Sequence, residues 1–245
     1  MVSANVKLYV NVYLPARVAG RCKAQTRALA GCLALLVTAS ASNAAPPAVD
    51  LQKLLKDIEG RYNRAATLQL TFSEIYTSQG RPRTPERGDL FLRKPGRMRW
   101  QYTKPAGKLF ISDGKDVYYY NAELNRVERM RVKDAEDMRA PLAFLIGRLD
   151  FSRDFREYRT RTEGDKIWVT CIPKSDKMPY AEVGFLTGAS LRIERVRVVG
   201  QDRSIIDFEF SGEVLNPPLA EQMFHFQMPA GAQYIDSTAG NKGDR

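Results

Sequence analysis

Histidine and cysteine, two side chains that often carry catalysis and metal binding, are scarce in this sequence. The chain of 245 residues contains one histidine, His225, and three cysteines, of which Cys22 and Cys32 lie near the N-terminus. A zinc site with a single histidine would need carboxylate ligands. Loss of the N-terminal segment would leave Cys171 alone, which excludes a disulfide framework within one chain. We interpret Cys171 as a small buried residue of a strand rather than as a nucleophile.

The motifs of several enzyme classes are missing as well. The sequence contains no P-loop, no G-x-G-x-x-G, G-x-S-x-G or H-E-x-x-H motif, and no cysteine–histidine spacing typical of a metal site. Asp134 and Asp137 form a carboxylate pair, but acidic residues at the beginning of a helix commonly stabilise the helix dipole. These motifs and residues do not exclude an enzyme, but none of them argues for one, and we predict no metal site. A secreted hydrolase is the less favoured alternative.

The N-terminus has the composition of a secretory signal peptide. Four basic residues, the last of them Arg27, precede the apolar run ALAGCLALLVTA at residues 28–39. Small residues follow, and Ser-Asn-Ala at 42–44 resembles a signal-peptide cleavage site. The apolar run is too short to span a membrane as a stable helix. We therefore predict that residues 1–44 are a signal peptide and that the exported chain begins at Ala45.

A second interpretation of this segment is a lipobox, because LAGC at residues 29–32 has that form. A lipobox ends the apolar region of a lipoprotein signal, whereas here only Ala28 separates it from Arg27. The apolar stretch also continues beyond Cys32. We interpret the match as accidental, with a lipidated Cys32 as the alternative.

The charge of the exported chain is smaller than the composition suggests. The whole sequence carries a formal charge of +10, and removal of the five basic residues within 1–44, which contain no acidic residue, lowers it to +5. A mild positive balance is compatible with acidic partners or anionic lipid head groups. The tyrosines at 118–120 and the nearby arginines resemble a base-stacking groove. Export makes nucleic acid an unsuitable partner, so we predict none.

Residues 88–102, GDLFLRKPGRMRWQY, predict a strand, a turn and a second strand. Side chains alternate between the two faces of a strand. The even-numbered positions are largely apolar and the odd-numbered ones largely charged, so we predict that the even-numbered row is buried. Its apolar members are Leu90, Leu92, Met98, Trp100 and Tyr102. Lys94 belongs to the same row, and a lysine that faces a core is rare unless it is paired or functional.

One helix precedes the strands and a second interrupts them. Residues 50–64 predict an amphipathic helix with Asp50 as its N-cap, and residues 134–149 predict another. The stripe of the first helix contains Leu51, Leu54, Leu55, Ile58 and Tyr62. That of the second contains Leu142, Leu145, Ile146 and Leu149. Period-two patterns predict strands at 68–72, 109–121 (a hairpin), 125–132, 154–162, 166–173, 181–187, 191–199, 204–211 and 223–228.

These elements predict a mainly β domain with helices over residues 45–236, followed by a polar, disordered tail at 237–245. Many short strands joined by hairpin turns favour a single antiparallel sheet with a helical cover. Such a sheet must curl, and apolar residues on its inner face together with two apolar helical stripes predict a cavity under a lid.

The order and spacing of several segments resemble the LolA family of periplasmic outer-membrane lipoprotein carriers. The segments are RGDLFLRKPGRMRWQY, LFISDGKDVYYYN and DAEDMRAPLAFLIGRLDF, which together span residues 87–151. The first helix and the closing FHFQMPAGAQYID are also similar, so the resemblance covers nearly all of residues 48–236. It implies an unclosed antiparallel half-barrel with a helical lid over an apolar cavity.

The resemblance also implies a function and partners. A LolA-like protein is a periplasmic chaperone for lipoproteins that receives its cargo from a LolCDE-like inner-membrane ABC transporter. It passes the cargo to an outer-membrane acceptor similar to LolB, uses no cofactor, and is expected to be a monomer. The loop TKPAGK at residues 103–108 has no large apolar tip of the kind that LolB carries, which favours the soluble carrier. The alternative is a LolA-fold binding or sensor module for another hydrophobic ligand.

The even-numbered row of residues 88–102 and the two predicted helices supply the candidate ligand contacts. We expect acyl chains to contact the five apolar residues of the even-numbered row, with Leu142 and Leu145 on one lid helix and Leu51 and Leu54 on the other. In the family, an arginine typically precedes the proline of the turn and hydrogen-bonds the lid backbone. Here that position is Lys94, which we predict to act as the lid latch.

The first test concerns the N-terminus. We expect the exported protein to begin at Ala45 without modification, because the residues before it have the order of a cleaved signal peptide. Intact-mass analysis of protein isolated from the periplasm measures this directly. A mass that corresponds to a lipidated Cys32 would instead identify the lipobox as functional.

Overall fold

The computed structural model describes residues 50–132 and 149–238, and all element bounds refer to that part of the chain. Helix α1 spans Leu51–Arg64, α2 is a single turn at Phe151–Asp154, and a 3-10 helix occupies Glu221–Phe224. The strands of the described residues are β1 Thr67–Ser78, β2 Arg81–Pro82, β3 Glu86–Arg93, β4 Arg97–Lys104, β5 Ala106–Asp113, β6 Asp116–Asn121, β7 Arg126–Arg131, β8 Phe155–Glu163, β9 Lys166–Pro173, β10 Tyr180–Thr187, β11 Ile193–Gly200, β12 Ile205–Leu215 and β13 Gln233–Asp236.

All of these strands belong to one sheet. Their order is β13-β7-β6-β5-β4-β3-β1-β12-β11-β10-β9-β8, and the short β2 pairs with β1. Neighbours are antiparallel except β13 and β7, which are parallel. The path ends in β13 on one side and β8 on the other, so the sheet is not closed. The prediction of a mainly β fold with an unclosed antiparallel sheet is confirmed.

The core lies between α1 and one face of the sheet, which we call the inner face. Buried side chains from β1, β3, β4, β9, β10, β11 and β12 form one apolar cluster with Leu55, Ile58 and Tyr62 of α1. Strand β1 is central to this arrangement, because it pairs with β3 on one side and β12 on the other and thereby joins the two halves of the sheet.

Helix α1 forms where the sequence predicts it, for identifiable reasons. The Asp50 side chain accepts a hydrogen bond from the backbone N–H of Lys53 at 3.0 Å, which satisfies one of the free donors of the first turn. Arg61 and Arg64 lie in the last turn, where positive charge is favourable to the helix dipole. The apolar stripe supplies the contact with the inner face that a helix of this length needs for stability.

The predicted strand at residues 223–228 is wrong. Residues up to Phe224 form the 3-10 helix, and the next strand is β13, at 233–236. The segment 216–232, which we call the outer-face strap, instead crosses the face of the sheet opposite α1. Alternating aromatic residues at 224 and 226 predict a strand, but here they serve as contacts of the strap.

The arginines of β3 and β4 hold this strap. Arg93 donates to the carbonyl of Leu219 at 2.7 Å, and Arg99 donates to that of Met223 at 3.0 Å. Burial lowers the pKa of Arg99. The Phe226 ring stacks on Tyr118 with centroids 4.9 Å apart. The charged odd-numbered row of the sequence therefore has a structural role, because it fastens the C-terminal segment to the sheet.

Some predicted elements fall wholly or partly outside the described residues. The signal peptide lies there, and so does the second helix except for its last residue, Leu149, which is buried. Of the predicted tail, Ser237 donates its backbone N–H to the carbonyl of Arg129 at 2.9 Å, and residues 239–245 lie outside. Within the two described ranges, no helix has the length and apolar character needed to cross a membrane.

A glycine in β3 gives a stability test. A Cβ atom on Gly88 would lie 2.2 Å from the carbonyl oxygen of Gln101 and 2.8 Å from the Phe72 ring. We expect Gly88→Ala to destabilise the protein by about 2 kcal/mol or more, because the backbone and the aromatic ring must both shift. Urea unfolding measures the change, and Gly188→Ala is the control because its Cβ would meet nothing closer than 3.4 Å. Equal stabilities of the two variants would contradict this.

Candidate functional site

The predicted row of apolar residues lies on the inner face. The turn between β3 and β4 has three residues, so even-numbered residues of one strand pair with even-numbered residues of the other, as Leu92 does with Met98. Pro95 and Gly96 therefore do not disturb the alternation. All five side chains of the row are at most 3% exposed: Leu90, Leu92, Met98, Trp100 and Tyr102.

An aromatic group occupies the middle of this face. The Trp100 and Phe72 rings form an edge contact with centroids 4.7 Å apart, and the Phe208 ring centroid lies 5.6 Å from that of Trp100. Phe72 also contacts Tyr102 at 5.1 Å. Phe72 and Phe208 are not among the predicted site residues, although both belong to alternating patterns in β1 and β12. Their place beside Trp100 depends on strand order, which a single sequence does not supply.

One carboxyl group lies within this apolar surface. Tyr102 donates its hydroxyl to Glu74 Oε1 at 3.0 Å, and both side chains are buried. Nearby, Lys108 forms an ion pair with Glu86 and lies 5.8 Å from the centre of the Tyr102 ring. The inner face is thus apolar in its centre and polar towards the end of β1 and β4.

Helix α1 covers the inner face chiefly through Leu55 and Ile58. These two side chains are buried, whereas Leu51 and Leu54, the predicted lid residues, are partly buried and pack against the same core. The most buried positions of the stripe lie one turn further along α1 than Leu51 and Leu54, whose contact with a ligand stays a prediction. Leu142 and Leu145, the candidates on the second helix, lie outside the described residues.

The last turns of α1 are fixed by polar contacts. The Tyr62 hydroxyl donates to Glu213 at 2.7 Å and accepts the backbone N–H of Ile193 at 2.9 Å. Burial raises the pKa of Tyr62 above its ordinary value. Asn63 bonds both backbone groups of Leu149, donating at 2.7 Å and accepting at 2.8 Å. These bonds hold the end of α1 against β11, β12 and the chain that enters α2.

Glu59 adds a further tie between α1 and α2. Its carboxylate accepts the backbone N–H of Phe151 at 2.8 Å and pairs with Lys56 at 2.8 Å. Although Glu59 is largely buried, its charge has both a cationic and a backbone partner, which is the usual condition for a buried carboxylate.

Lys94 lies at the edge of this region and bonds the helix. Its ammonium donates to the carbonyl of Tyr62 at 2.6 Å, and its backbone N–H donates to the carbonyl of Ala66 at 2.9 Å. The carbonyls of the last turn of a helix lack partners within the helix, so a cation there is favourable. Partial burial lowers the pKa of Lys94 below its ordinary value. The lysine of the inner-face row thus binds the backbone of α1.

The space around these residues is small near Lys94 and larger near α2. A cavity of about 10 Å³ lies between Lys94, Tyr62 and Leu92, which is about the room that one water molecule needs. A pocket of about 310 Å³ opens beside Leu55 and Phe151. Its other lining residues are Gln52, Lys56, Glu59, Ser152, Phe155, Arg156, Tyr158 and Lys174. A volume of this order is at the lower end of the range of ligand pockets.

The site offers apolar burial rather than obvious covalent chemistry. In the part of the chain that the structure describes, no group of three His, Cys, Asp or Glu residues could hold a metal ion. Cys171 is buried on the inner face, and burial raises the pKa of its thiol to about 12. A thiol with such a pKa is protonated at neutral pH and is a poor nucleophile.

Comparison with known proteins relates this chain to a protein family. A family model described as outer membrane lipoprotein carrier protein LolA matches residues 63–227. An outer-membrane lipoprotein carrier protein of Chromobacterium violaceum is 26% identical over 202 residues, which cover 82% of this chain and 96% of that relative. One from Nitrosospira multiformis is 32% identical over 151 residues, or 60% of this chain and 71% of the relative. The crystal structure of a LolA superfamily protein from Nitrosomonas europaea has a TM-score of 0.43 at 11% identity, over 73% of this chain and 99% of that one.

The state of Cys171 gives a test of the non-nucleophilic interpretation. Because the thiol is buried and its pKa is raised to about 12, we expect no reaction with iodoacetamide in the folded protein at pH 8. Mass spectrometry of the chain from Ala45 onward, in which Cys171 is the only cysteine, measures the labelling. The same protein in guanidinium chloride is the control and should label fully. Rapid labelling of the folded protein would show an accessible, reactive thiol.

Proposed function

The chain belongs to the LolA family of outer membrane lipoprotein carrier proteins, and we propose that it carries lipoproteins through the periplasm with their acyl chains held against the inner face. The observation that carries the proposal is a continuous apolar face, from β9 to β4, that a helix covers. Such a face can exchange one apolar cover for another without any covalent step. The proposed function therefore needs neither catalysis nor a cofactor.

Binding energies are compatible with a carrier that releases its cargo. Burial of one methylene group contributes about 0.8 kcal/mol, so a full palmitoyl chain approaches roughly 12 kcal/mol. A face that enclosed several chains at this gain would approach the practical limit of non-covalent affinity and release them too slowly. Displacement of the apolar residues Leu55 and Ile58 by the ligand offsets part of that gain. Helix α1 can therefore bring the net affinity into a range that permits transfer.

The partners belong to the same proposal. We infer that an inner-membrane ABC transporter similar to LolCDE supplies the lipoprotein and that an outer-membrane acceptor similar to LolB receives it. The connection between β4 and β5 supports the carrier rather than the acceptor, because a single residue, Pro105, separates the two strands and presents no large apolar tip. Cleavage of residues 1–44 and a periplasmic location complete the assignment.

Ligand binding to the inner face can be measured with Trp100. In a Trp168→Phe background Trp100 is the only tryptophan, since the sequence contains two. We expect its emission maximum to shift when a triacylated lipopeptide binds, because its fully buried ring contacts the residues that α1 covers. The control is the single variant Trp100→Phe, in which Trp168, on the other face of the sheet, is the only tryptophan. Its emission maximum should change little when the lipopeptide binds. Saturable binding without any response from Trp100 would place the ligand elsewhere.

The proposed role of Lys94 as a lid latch predicts that transfer of lipoprotein to the acceptor depends on this side chain. Lys94→Leu removes the bond to the carbonyl of Tyr62 but preserves apolar packing. We expect the variant to accept lipoprotein yet deliver it poorly. In the unmodified protein, loading breaks the bond between the Lys94 ammonium and the Tyr62 carbonyl, which raises the free energy of the loaded state and favours release. The variant has no such bond to break, so its loaded state is not destabilised in this way. The measurement is incorporation of a labelled lipoprotein into outer membranes after release from spheroplasts.

Lys104→Leu is the matched control for this experiment. Lys104 is exposed at the end of β4, so its replacement removes an equal charge without touching α1. Delivery by Lys94→Leu at the rate of the unmodified protein would leave Lys94 with a purely structural role. Failure of both variants to accept cargo would point to general charge effects instead.

A further inference from the structure

The Trp100 side chain carries a buried hydrogen-bond donor, the indole N–H. The Trp100 side chain has no exposed surface, and its Nε1 atom has no hydrogen-bond partner among the described residues. Indole is a donor only, so it cannot be satisfied by another donor. Buried polar groups are nearly always bonded, and an exception in a binding face calls for an explanation in terms of function or strain.

The described ring neighbours and strand partners of Trp100 are apolar. Its ring neighbours are Phe72 at 4.7 Å and Phe208 at 5.6 Å, and aromatic faces are at most weak acceptors. On the adjacent strands its direct partners are Leu90 and Phe110, whose side chains are apolar. The donor therefore lies among apolar side chains of the inner face.

We propose, on the basis of the carrier function proposed above, that this N–H donates to a carbonyl oxygen of the acyl groups of the bound lipid. An ester or amide carbonyl is a strong, uncharged acceptor that lies at the head of a long apolar chain. Bonding would place the carbonyl at Trp100 and the chain along the apolar face. Without ligand the donor has no partner among the described residues, and in the loaded protein the carbonyl satisfies it.

The electrostatics of the face favour a neutral acceptor over an anionic one. Phe72, which contacts Trp100, also contacts Tyr102, and Tyr102 donates to the buried carboxyl group of Glu74. A phosphate or a free fatty-acid carboxylate at Trp100 would lose its hydration in an apolar setting with a carboxyl group close by. A carbonyl carries no net charge and avoids both penalties. The site thus selects acyl lipids with neutral linkages.

The primary experiment uses Trp168→Phe protein, in which Trp100 is the only tryptophan. Trp168 lies on the outer side of β9, where Arg161 and Arg195 stack on its ring, so its replacement leaves the inner face intact. The probe is a synthetic triacylated lipopeptide with ¹³C in its three acyl carbonyls. We expect loading to lower the frequency of the indole N–H vibration and of part of the labelled carbonyl band. A loaded protein in which neither band shifts would overturn the proposal.

A second measurement compares affinities. A trialkyl analogue of the lipopeptide has the same chains attached by ether and amine bonds and lacks the three acyl carbonyls. We expect the Trp168→Phe protein to bind the lipopeptide about tenfold more tightly than the analogue, and Trp100→Phe to bind the two with similar affinity. Binding of the analogue at unchanged strength shows that Trp100→Phe is folded. A preference that survives in Trp100→Phe would contradict the role of the indole.

The outcomes separate this inference from the proposed function. If the lipopeptide and the analogue both fail to bind the unmodified protein, the carrier function itself is wrong. If both bind equally well and no band shifts, the carrier function stands and the bond from Trp100 does not exist.

Discussion

The packing of α1 against the inner face is the interaction on which the rest of the structure depends. An open sheet with an apolar face cannot leave that face in water, and the described part of the chain covers it with Leu55, Ile58 and Tyr62. Full burial of three such side chains contributes about 6 kcal/mol, which is comparable with the total stability of a small domain. The same contribution is about half of what one palmitoyl chain would provide. Burial of an acyl chain can therefore more than compensate for the loss of the helix contacts.

Polar contacts decide which part of α1 is held most firmly. Tyr62, Asn63 and Glu59 bind backbone or carboxylate groups of other elements, and Lys94 binds the last turn from the sheet. The first turn of the helix contacts the core through Leu51 and Leu54, which are only partly buried. This asymmetry places the polar attachment at the C-terminal end of the helix, next to the lysine of the β3–β4 turn. Lys94 thus links the inner-face row to the helix that covers it.

Strand alternation and helical periodicity correctly predicted the features that depend on nearby residues in the chain, namely which side chains share a face and where α1 begins. The five apolar even-numbered residues from Leu90 to Tyr102 lie on one face, and Asp50 caps α1, because side-chain direction and capping depend on neighbours in the chain. The strand predicted at 223–228 failed because Phe226 finds its partner in Tyr118, about a hundred residues away, and the strap is held by arginines rather than by a ladder. The places of Phe72 and Phe208 beside Trp100 likewise depend on strand order, which no local pattern contains.

We infer that the ligand and α1 compete for the same apolar face. Hydrogen–deuterium exchange of the protein, with and without a triacylated lipopeptide, tests it most directly. We expect loading to accelerate exchange of the α1 amides, most strongly in its first half, while the amides of β1 and β3 keep their protection, because the sheet persists and its cover is replaced. Unchanged or slower exchange throughout α1 in the fully loaded protein would contradict the account.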